Sequence, residues 1–182
     1  MQLLHMEQDD PYEKTLPKLN QFILEIFILY SFLTIFCAIL YFLFGMNAFD
    51  AIAHAMTTIS TGGFSTHNTS FIFFDSFKIE IISVIFMIIG SLPFVIFLKF
   101  LHGDKKSIIK DDQIKLFFLI LSILIIITSF WLNKNLQAYS FGESLRLSMF
   151  NITSILTGTG YSSSNYNTWG SFGLVIMIII MF

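Results

Sequence analysis

Three long apolar runs divide the chain, at residues 22–44, 79–101 and 116–132. Each is close to the ~20 residues that an α-helix needs to cross about 30 Å of hydrocarbon, so we predict three membrane spans. A fourth run, 172–182, is equally apolar, but at ~1.5 Å per residue it covers only about half of a bilayer. It is either a re-entrant segment or a helix that the reading frame cuts short, and we favour the second.

The segments between the spans, 45–77 and 133–171, each predict a short helix followed by a loop. In the first segment, Asn47 is suited to cap the helix and Asp50 lies in its first turn. In the second, Ser140 and Glu143 have the spacing of a capping box. Each helix would run ~15 Å, half a bilayer, before it meets a cluster of Thr, Ser and Gly. This order predicts a pore helix followed by a filter loop.

An internal repeat supports this plan. With Gly63 aligned on Gly160, an offset of 97 positions, residues 60–66 (STGGFST) fall on residues 157–163 (TGTGYSS). Both copies follow the order span, short helix, Thr/Gly loop, span. The predicted fold class is therefore an all-α integral membrane protein. It has two tandem repeats of membrane helix, pore helix, filter loop and membrane helix, and the second repeat is truncated.

The spans and loops also predict boundaries and an orientation. The boundaries are a polar flank at 1–20, a first membrane-pore-membrane unit at 21–101 with its filter at 60–66, a basic loop at 102–115, and a second unit at 116–182 with its filter at 157–163. Five of the ten basic residues lie in or beside the loop, namely Lys99, Lys105, Lys106, Lys110 and Lys115. By the positive-inside rule this loop is cytoplasmic, and so is the N-terminus.

Composition agrees with a membrane location. The chain is 55% hydrophobic and 12% charged, and that charged fraction is roughly half of what a soluble domain carries. A net charge of -2 without a basic, aromatic-rich run predicts no nucleic-acid partner. One cysteine, Cys37, and four scattered histidines predict no metal cluster. Asp50, His54 and Ser60 lack the context of a catalytic triad, and no enzyme is predicted.

The Thr/Gly loops suggest a chemistry of their own. Irregular backbone is costly at membrane depth unless it lines a protein-enclosed or wet cavity. Successive backbone carbonyls can replace the hydration shell of a monovalent cation, and glycine allows the unusual backbone angles that this requires. Neither loop contains a carboxylate. The pattern therefore favours a weakly binding, conducting site over a tight metal cage.

Three segments give the chain a specific resemblance. The run 51–66 (AIAHAMTTISTGGFST) resembles the second pore loop of Trk/Ktr potassium transporters, and 152–161 (ITSILTGTGY), with Asn165, Tyr166 and Trp169 after it, resembles the third. The run 87–94 (MIIGSLPF) is similar to the helix after the filter, where Ser91 more often is a second glycine. The resemblance covers essentially the whole chain. The chain is identified as a TrkH-like fragment of a bacterial potassium uptake protein, with the second and most of the third membrane-pore-membrane units.

This resemblance implies the site residues. On the channel pattern TVGYG, the potassium-binding filter residues are Thr61, Gly62, Gly63 and Phe64 in the first copy and Gly158, Thr159, Gly160 and Tyr161 in the second. The carbonyls that would face potassium belong to Thr61, Gly62, Gly158 and Thr159. Ser65 and Ser162 stand where the pattern has its last glycine, which implies looser selectivity over sodium. Potassium is the transported substrate, and no cofactor is implied.

The resemblance also implies what surrounds the chain. In the family, one chain supplies four units to a pseudo-fourfold pore, and the third unit's last helix forms a gating constriction. The first and fourth loops and that gate are missing from this sequence. The implied partners are the lipid bilayer of the bacterial inner membrane, the missing pore units from the same or a neighbouring gene, a second transporter subunit, and a cytoplasmic nucleotide-binding regulatory subunit.

Four alternatives stay open from the sequence. The chain is either a working part of such a transporter or a non-conducting remnant or interaction module of a split gene. Pro93 marks either a functional hinge or a simple kink. Arg146 either tunes cation access or is merely solvent-exposed, and Glu80, near a span end, is an interfacial or paired carboxylate.

Overall fold

The computed structural model describes residues 11–104, 107–135 and 140–181. Over this part of the chain the secondary structure is helical and contains no strand, which confirms the all-α prediction. The α-helices are α1 (Pro11–Leu43), α2 (Ala48–Ile59), α3 (Phe77–Ser91), α4 (Phe94–Leu101), α5 (Ser107–Lys110), α6 (Asp112–Asn135), α7 (Phe141–Leu156) and α8 (Gly170–Met181). Two 3₁₀ turns, Ser70–Phe73 and Tyr166–Trp169, follow the predicted filter loops.

Two of these helices are long and apolar enough to cross a membrane, namely Leu19–Leu43 within α1 and the whole of α6. They match the predicted spans 22–44 and 116–132. The fractional exposures of Phe27, Phe32 and Phe130 on these helices are 66%, 62% and 61%, which suits lipid or another protein surface and not water. The predicted polar flank is already helical from Pro11 onward and continuous with α1, while residues 1–10 lie outside the described residues.

The second predicted span, 79–101, differs from the expectation of one continuous helix. α3 ends at Ser91 and α4 begins at Phe94, and the two helices are bent by 89°. Pro93 causes the break, because its ring disfavours a helical Leu92 (observed ψ 147°) and it has no N–H for the helical ladder. Of the two alternatives for Pro93, a simple kink does not describe an 89° bend between two helices.

Both short helices are capped as predicted. The Asn47 side chain accepts the backbone N–H of Asp50 at 2.8 Å and caps α2. Ser140 and Glu143 form a reciprocal capping box at the start of α7. The backbone N–H of Ser140 donates to the Glu143 carboxylate at 2.8 Å, and this bond lowers the pKa of Glu143 below its usual value. These caps fix where the pore helices start and therefore where the loops after them emerge.

The two repeats share a core, which places their loops side by side. α7 packs against α6 of its own repeat and against α3 of the first repeat. Phe150 on α7 and Tyr161 from the second loop are buried in the apolar cluster of α1, α2 and α3, together with Tyr41 and Phe71. A second cluster, around Trp169, joins α6, α7 and α8.

Gly90 allows the end of the first pore helix to rest directly on α3. A Cβ added at Gly90 would lie 2.7 Å from the carbonyl oxygen of Ile59, the last residue of α2. Because both groups belong to helix backbones, we expect Gly90→Ala to lower the free energy of unfolding by about 1–3 kcal/mol. Unfolding of the full chain by SDS titration in mixed micelles measures the change.

Gly142 provides the matched control for Gly90, because a Cβ there would meet no atom within 4 Å. Gly142→Ala should leave stability unchanged or raise it by up to about 1 kcal/mol, since alanine is the better helix former. Equal losses in the two variants would contradict the close approach of α2 to α3.

The predicted boundaries at 20/21, 101/102 and 115/116 stay predictions. Within the proposed basic loop 102–115 the structure has the helical turn α5 and the first four residues of α6, and Lys105 and Lys106 lie outside the described residues.

Candidate functional site

The two Thr/Gly loops leave their pore helices with the same backbone conformation. The capping residues Ser60 and Thr157 have φ, ψ values of -76°, -1° and -79°, -7°. The next residue is left-handed in both loops, with φ 49° at Thr61 and φ 74° at Gly158. For a β-branched threonine this conformation costs ~1–3 kcal/mol. Thr61 therefore adopts it because the surrounding structure imposes it.

The two central glycines are left-handed as well, and one of them touches the other loop. The φ values are 66° at Gly63 and 88° at Gly160, which glycine adopts without a steric penalty. A Cβ added at Gly63 would overlap the carbonyl oxygen of Thr159 and lie 2.9 Å from its carbonyl carbon. A Cβ added at Gly160 would meet no atom within 4 Å. The loops thus approach backbone to backbone, with Gly63 at the contact.

The loops present neutral oxygen atoms. Among the described residues, no backbone N–H donates to the carbonyls of Thr61, Gly62, Gly158 and Thr159. Neither loop contains a carboxylate, and the described residues include no group of three or more His, Cys, Asp or Glu that could hold a metal ion. The adjoining C-terminal ends of α2 and α7 add the partial negative charge of helix carbonyls. This arrangement can replace water around a monovalent cation and still release it.

A hydroxyl on each pore helix holds the carbonyl of the fourth loop residue. Thr57 Oγ1 donates to the carbonyl of Phe64 at 2.8 Å, and Ser154 Oγ donates to the carbonyl of Tyr161 at 2.8 Å. Positions 57 and 154 are equivalent under the repeat offset of 97. Each pore helix therefore braces its own loop through the same bond.

A buried polar side chain on each pore helix also holds the far end of its loop. His54 Nε2 lies 2.9 Å from Ser65 Oγ, and Asn151 Nδ2 donates to Ser163 Oγ at 3.0 Å. His54 and Asn151 are fully buried and are equivalent under the same offset. The expectation that His54 is not a metal ligand fits this role, because one ring nitrogen contacts Ser65 and the other the Asp50 carbonyl.

The Asp50 carboxylate, in the first turn of α2, forms hydrogen bonds with the segment that follows the first loop. Its carboxylate accepts hydrogen bonds from Thr66 Oγ1 at 2.6 Å and from His67 Nε2 at 2.9 Å. Burial acts to raise the pKa of Asp50, but the bonds from Thr66 and His67 outweigh it and leave the pKa below its usual value. The aspartate therefore stays ionised and keeps both partners at neutral pH.

Tyr161 and Phe64 occupy equivalent loop positions but differ in their surroundings. Tyr161 is 1% exposed, and its hydroxyl contacts the hydroxyls of Thr57 and Thr58 on the first pore helix. Phe64 is 78% exposed. Of these two aromatic side chains, that of Tyr161 is packed against the neighbouring repeat and that of Phe64 is not.

Comparison with known proteins decides the family. A sequence model of TrkH, described as a cation transport protein, matches residues 1–182. The chain belongs to the TrkH family. It is 32% identical over 184 residues to the Trk system potassium uptake protein TrkI of Halomonas elongata, across 100% of this chain and 37% of TrkI. It is 31% identical to TrkG of Escherichia coli K12, across 99% of this chain and 38% of TrkG.

A solved TrkH-family structure agrees with the fold. The crystal structure of the potassium transporter TrkH from Vibrio parahaemolyticus matches with a TM-score of 0.85 and 30% sequence identity, over 90% of this chain and 36% of that one. This match confirms the predicted class of helical membrane protein. The chain spans little more than a third of the length of these relatives.

An ion pair joins the two repeats of this TrkH-family chain. Arg146 on α7 donates through Nε and Nη2 to the two carboxylate oxygens of Glu80 on α3, at 2.7 and 2.9 Å. The Glu80 side chain is 4% exposed and that of Arg146 28%. Glu80 is thus the paired carboxylate that its place near a span end suggested. Arg146 is engaged with it and is not simply a solvent-exposed residue.

Sequence reasoning about this TrkH-family chain missed the residues behind the loops. The residues that hold the loops in place, apart from Asp50, are Thr57, Ser154, His54 and Asn151. The repeat that predicts the loops begins at Ser60 and Thr157, after these positions. Extended back along the two pore helices, the same offset pairs Thr57 with Ser154, which both have a hydroxyl. It also pairs His54 with Asn151, which are both polar.

Proposed function

We propose that this chain forms part of a potassium uptake pathway through the cell membrane. In this pathway dehydrated potassium is held by backbone carbonyls of two loops, 61–64 and 158–161. The observation that carries the proposal is the direct backbone approach of Gly63 to Thr159, in loops that present neutral carbonyls. The names of the relatives, which are potassium uptake proteins, support the choice of ion.

Within this site, each filter residue has a role that its backbone supports. Thr61 and Gly62 in one loop, and Gly158 and Thr159 in the other, would supply carbonyl oxygens to potassium. Gly63 and Gly160 would allow the left-handed turns between them. The carbonyls of Phe64 and Tyr161 already accept a hydroxyl from the pore helix, so these two residues would mainly anchor the loop ends.

In this proposal, the two pore units of the chain form a ring together with further pore units. Tyr161 packs on the repeat before it, yet its counterpart Phe64 is 78% exposed. Gly63 touches the loop after it, whereas Gly160 faces open space. If every unit makes the same two contacts, Phe64 packs on a preceding unit and Gly160 faces a following one.

The exposed apolar surface of the first repeat is further evidence for a preceding unit. An apolar groove of about 770 Å³ lies between α1 and α2, lined by residues such as Phe27, Phe42 and Met56. Phe49 on α2, which is 74% exposed, is the offset counterpart of Arg146, and Arg146 lies at the interface between the two repeats. We infer that another membrane-pore-membrane unit covers this side.

Several finer assignments belong to the same proposal. The bacterial inner membrane, a cytoplasmic N-terminus, paired transporter subunits and a cytoplasmic nucleotide-binding regulatory subunit follow from the lysine distribution and the family resemblance. The competing hypothesis is a non-conducting remnant or interaction module of a split transporter gene.

Complementation of a potassium-uptake-deficient bacterium tests the proposed function. Residues 1–182 are expressed alone, and are also grafted into TrkH of V. parahaemolyticus in place of the segment that they match. We expect the graft to restore growth at low potassium and the chain alone to fail, because two loops cannot close a ring of carbonyls.

The matched control is the same graft made with the corresponding segment of TrkI, and immunoblotting of membranes verifies expression. If the TrkI graft restores growth and the graft of this chain does not, although both are present at equal levels, the result would favour the non-conducting remnant. Rescue by the chain alone would contradict the need for further units.

A further inference from the structure

We propose that Thr57 sets the spacing between the two filter loops, and that it is thereby a positioning residue for ion selectivity. This inference rests on the proposed potassium filter. Thr57 lies on the first pore helix, in contact with one residue from each loop, Phe64 and Tyr161.

The Thr57 hydroxyl can serve both loops at once. It donates to the Phe64 carbonyl at 2.8 Å, and the phenol of Tyr161 lies within hydrogen-bond distance of the same oxygen. A hydroxyl has one proton to donate and two lone pairs. When the Thr57 proton is donated to the Phe64 carbonyl, a lone pair of Thr57 Oγ1 accepts the proton of Tyr161, whose hydroxyl also lies 3.2 Å from the His54 carbonyl. One side chain thus connects the end of the first loop to the end of the second.

Neighbouring hydroxyls keep this connection in place. Thr58 Oγ1, next to Thr57, lies 3.3 Å from the Tyr161 hydroxyl and 2.9 Å from the Tyr41 hydroxyl. Tyr41 on α1 contacts Ser83 Oγ on α3 at 2.8 Å. Thr58, Tyr41 and Ser83 are fully buried, and a satisfied buried polar network is rigid. The position of Tyr161 is therefore tied to the helices and not only to its own loop.

The first loop lacks the hydroxyl that makes this connection in the second. Ser154 has the place of Thr57 and holds the Tyr161 carbonyl, but among the described residues no hydrogen bond joins it to another loop. Tyr161 reaches the pore helix of the preceding repeat, and its counterpart in the first loop is Phe64. Phe64 has no hydroxyl to donate to a preceding unit. A filter distinguishes cations by how its carbonyl oxygens are placed, so releasing Thr57 should alter discrimination before it alters the fold.

The test compares rubidium and sodium uptake in the graft that carries residues 1–182. Thr57→Val removes the hydroxyl at nearly constant shape, and we expect the rubidium-to-sodium ratio to fall about three- to tenfold. Thr57→Ser should keep the ratio. Tyr161→Phe should lower it in the same direction, and the two changes combined should lower it by less than the product of their separate effects, because both remove the bond between Thr57 and Tyr161.

Thr34→Val is the matched control. Thr34 donates to a helix carbonyl four residues back, that of Tyr30, and among the described residues it makes no hydrogen bond to either loop. It should leave the ratio unchanged. Membrane level and melting temperature separate a folding defect from a loss of selectivity, and if Thr57→Val does not fold, Tyr161→Phe decides.

The outcomes separate this inference from the filter on which it rests. An unchanged ratio in both Thr57→Val and Tyr161→Phe, with uptake still abolished by Gly63→Ala, would overturn the role of Thr57 and leave the filter intact. Uptake unaffected by all three variants would instead overturn the filter.

Discussion

Gly63→Ala is expected to reduce rubidium uptake by the grafted transporter to the background of a strain without it. The backbone φ at Gly63 is 66°, a left-handed conformation that costs other residues ~1–2 kcal/mol. The larger effect is steric, because the added methyl group would overlap the carbonyl oxygen of Thr159. The second loop would have to move, and its carbonyls are those proposed to hold the ion.

Gly45→Ala separates these two effects. Gly45 is also left-handed, at φ 115°, but a Cβ there would meet no atom within 4 Å. Because φ 115° is no easier for alanine than φ 66°, Gly45→Ala should bear at least as large a backbone penalty and still retain uptake. Equal loss of uptake in the two variants would mean that backbone strain alone explains the result, and full uptake by Gly63→Ala would contradict the approach of the two loops.

Arg146→Met is expected to lower the free energy of unfolding of the full chain by about 3–5 kcal/mol, because it leaves Glu80 buried without its partner. Both Arg146 donors reach the Glu80 carboxylate, at 2.7 and 2.9 Å, and the Glu80 side chain is 4% exposed. Since the pair joins α7 to α3, its loss should also loosen the contact between the repeats. SDS titration in mixed micelles measures the free energy.

An exposed ion pair supplies the control. Lys115 lies 2.9 Å from Asp112, with side-chain exposures of 58% and 93%, and solvent-exposed pairs of this kind contribute little to stability. Lys115→Met should therefore have little effect. Adding Glu80→Gln to Arg146→Met should restore much of the lost stability, because the buried charge is removed. If Arg146→Met costs no more than Lys115→Met, the pair does not join the repeats.

Local signals allowed the helices of this chain to be predicted. Asn47 and Ser140 cap their helices as the sequence indicates, because capping depends on side chains within three residues. The spans at 22–44 and 116–132 were recognisable from hydropathy alone. Hydropathy does not show which way a helix runs, however. The 89° corner at Leu92 and Pro93 could therefore be predicted only as some departure from a straight helix at the proline.

The candidate site was predictable in position but not in its contacts. The repeat placed Thr61 opposite Gly158, and both are left-handed, although nothing local to a threonine predicts that conformation. The bond between Arg146 and Glu80 joins residues 66 positions apart. The contact between Tyr161 and Thr57 joins residues 104 apart. Such contacts depend on how the two repeats pack, which no short sequence window specifies.

The most direct test of the filter is to locate the ion. Crystals of the graft grown in rubidium chloride should give anomalous difference density between the two loops, bounded by residues 61–63 and 158–160. This density should be absent from crystals grown in sodium chloride. Rubidium density elsewhere in a conducting graft, with none at these loops, would contradict the claim that the loops hold potassium.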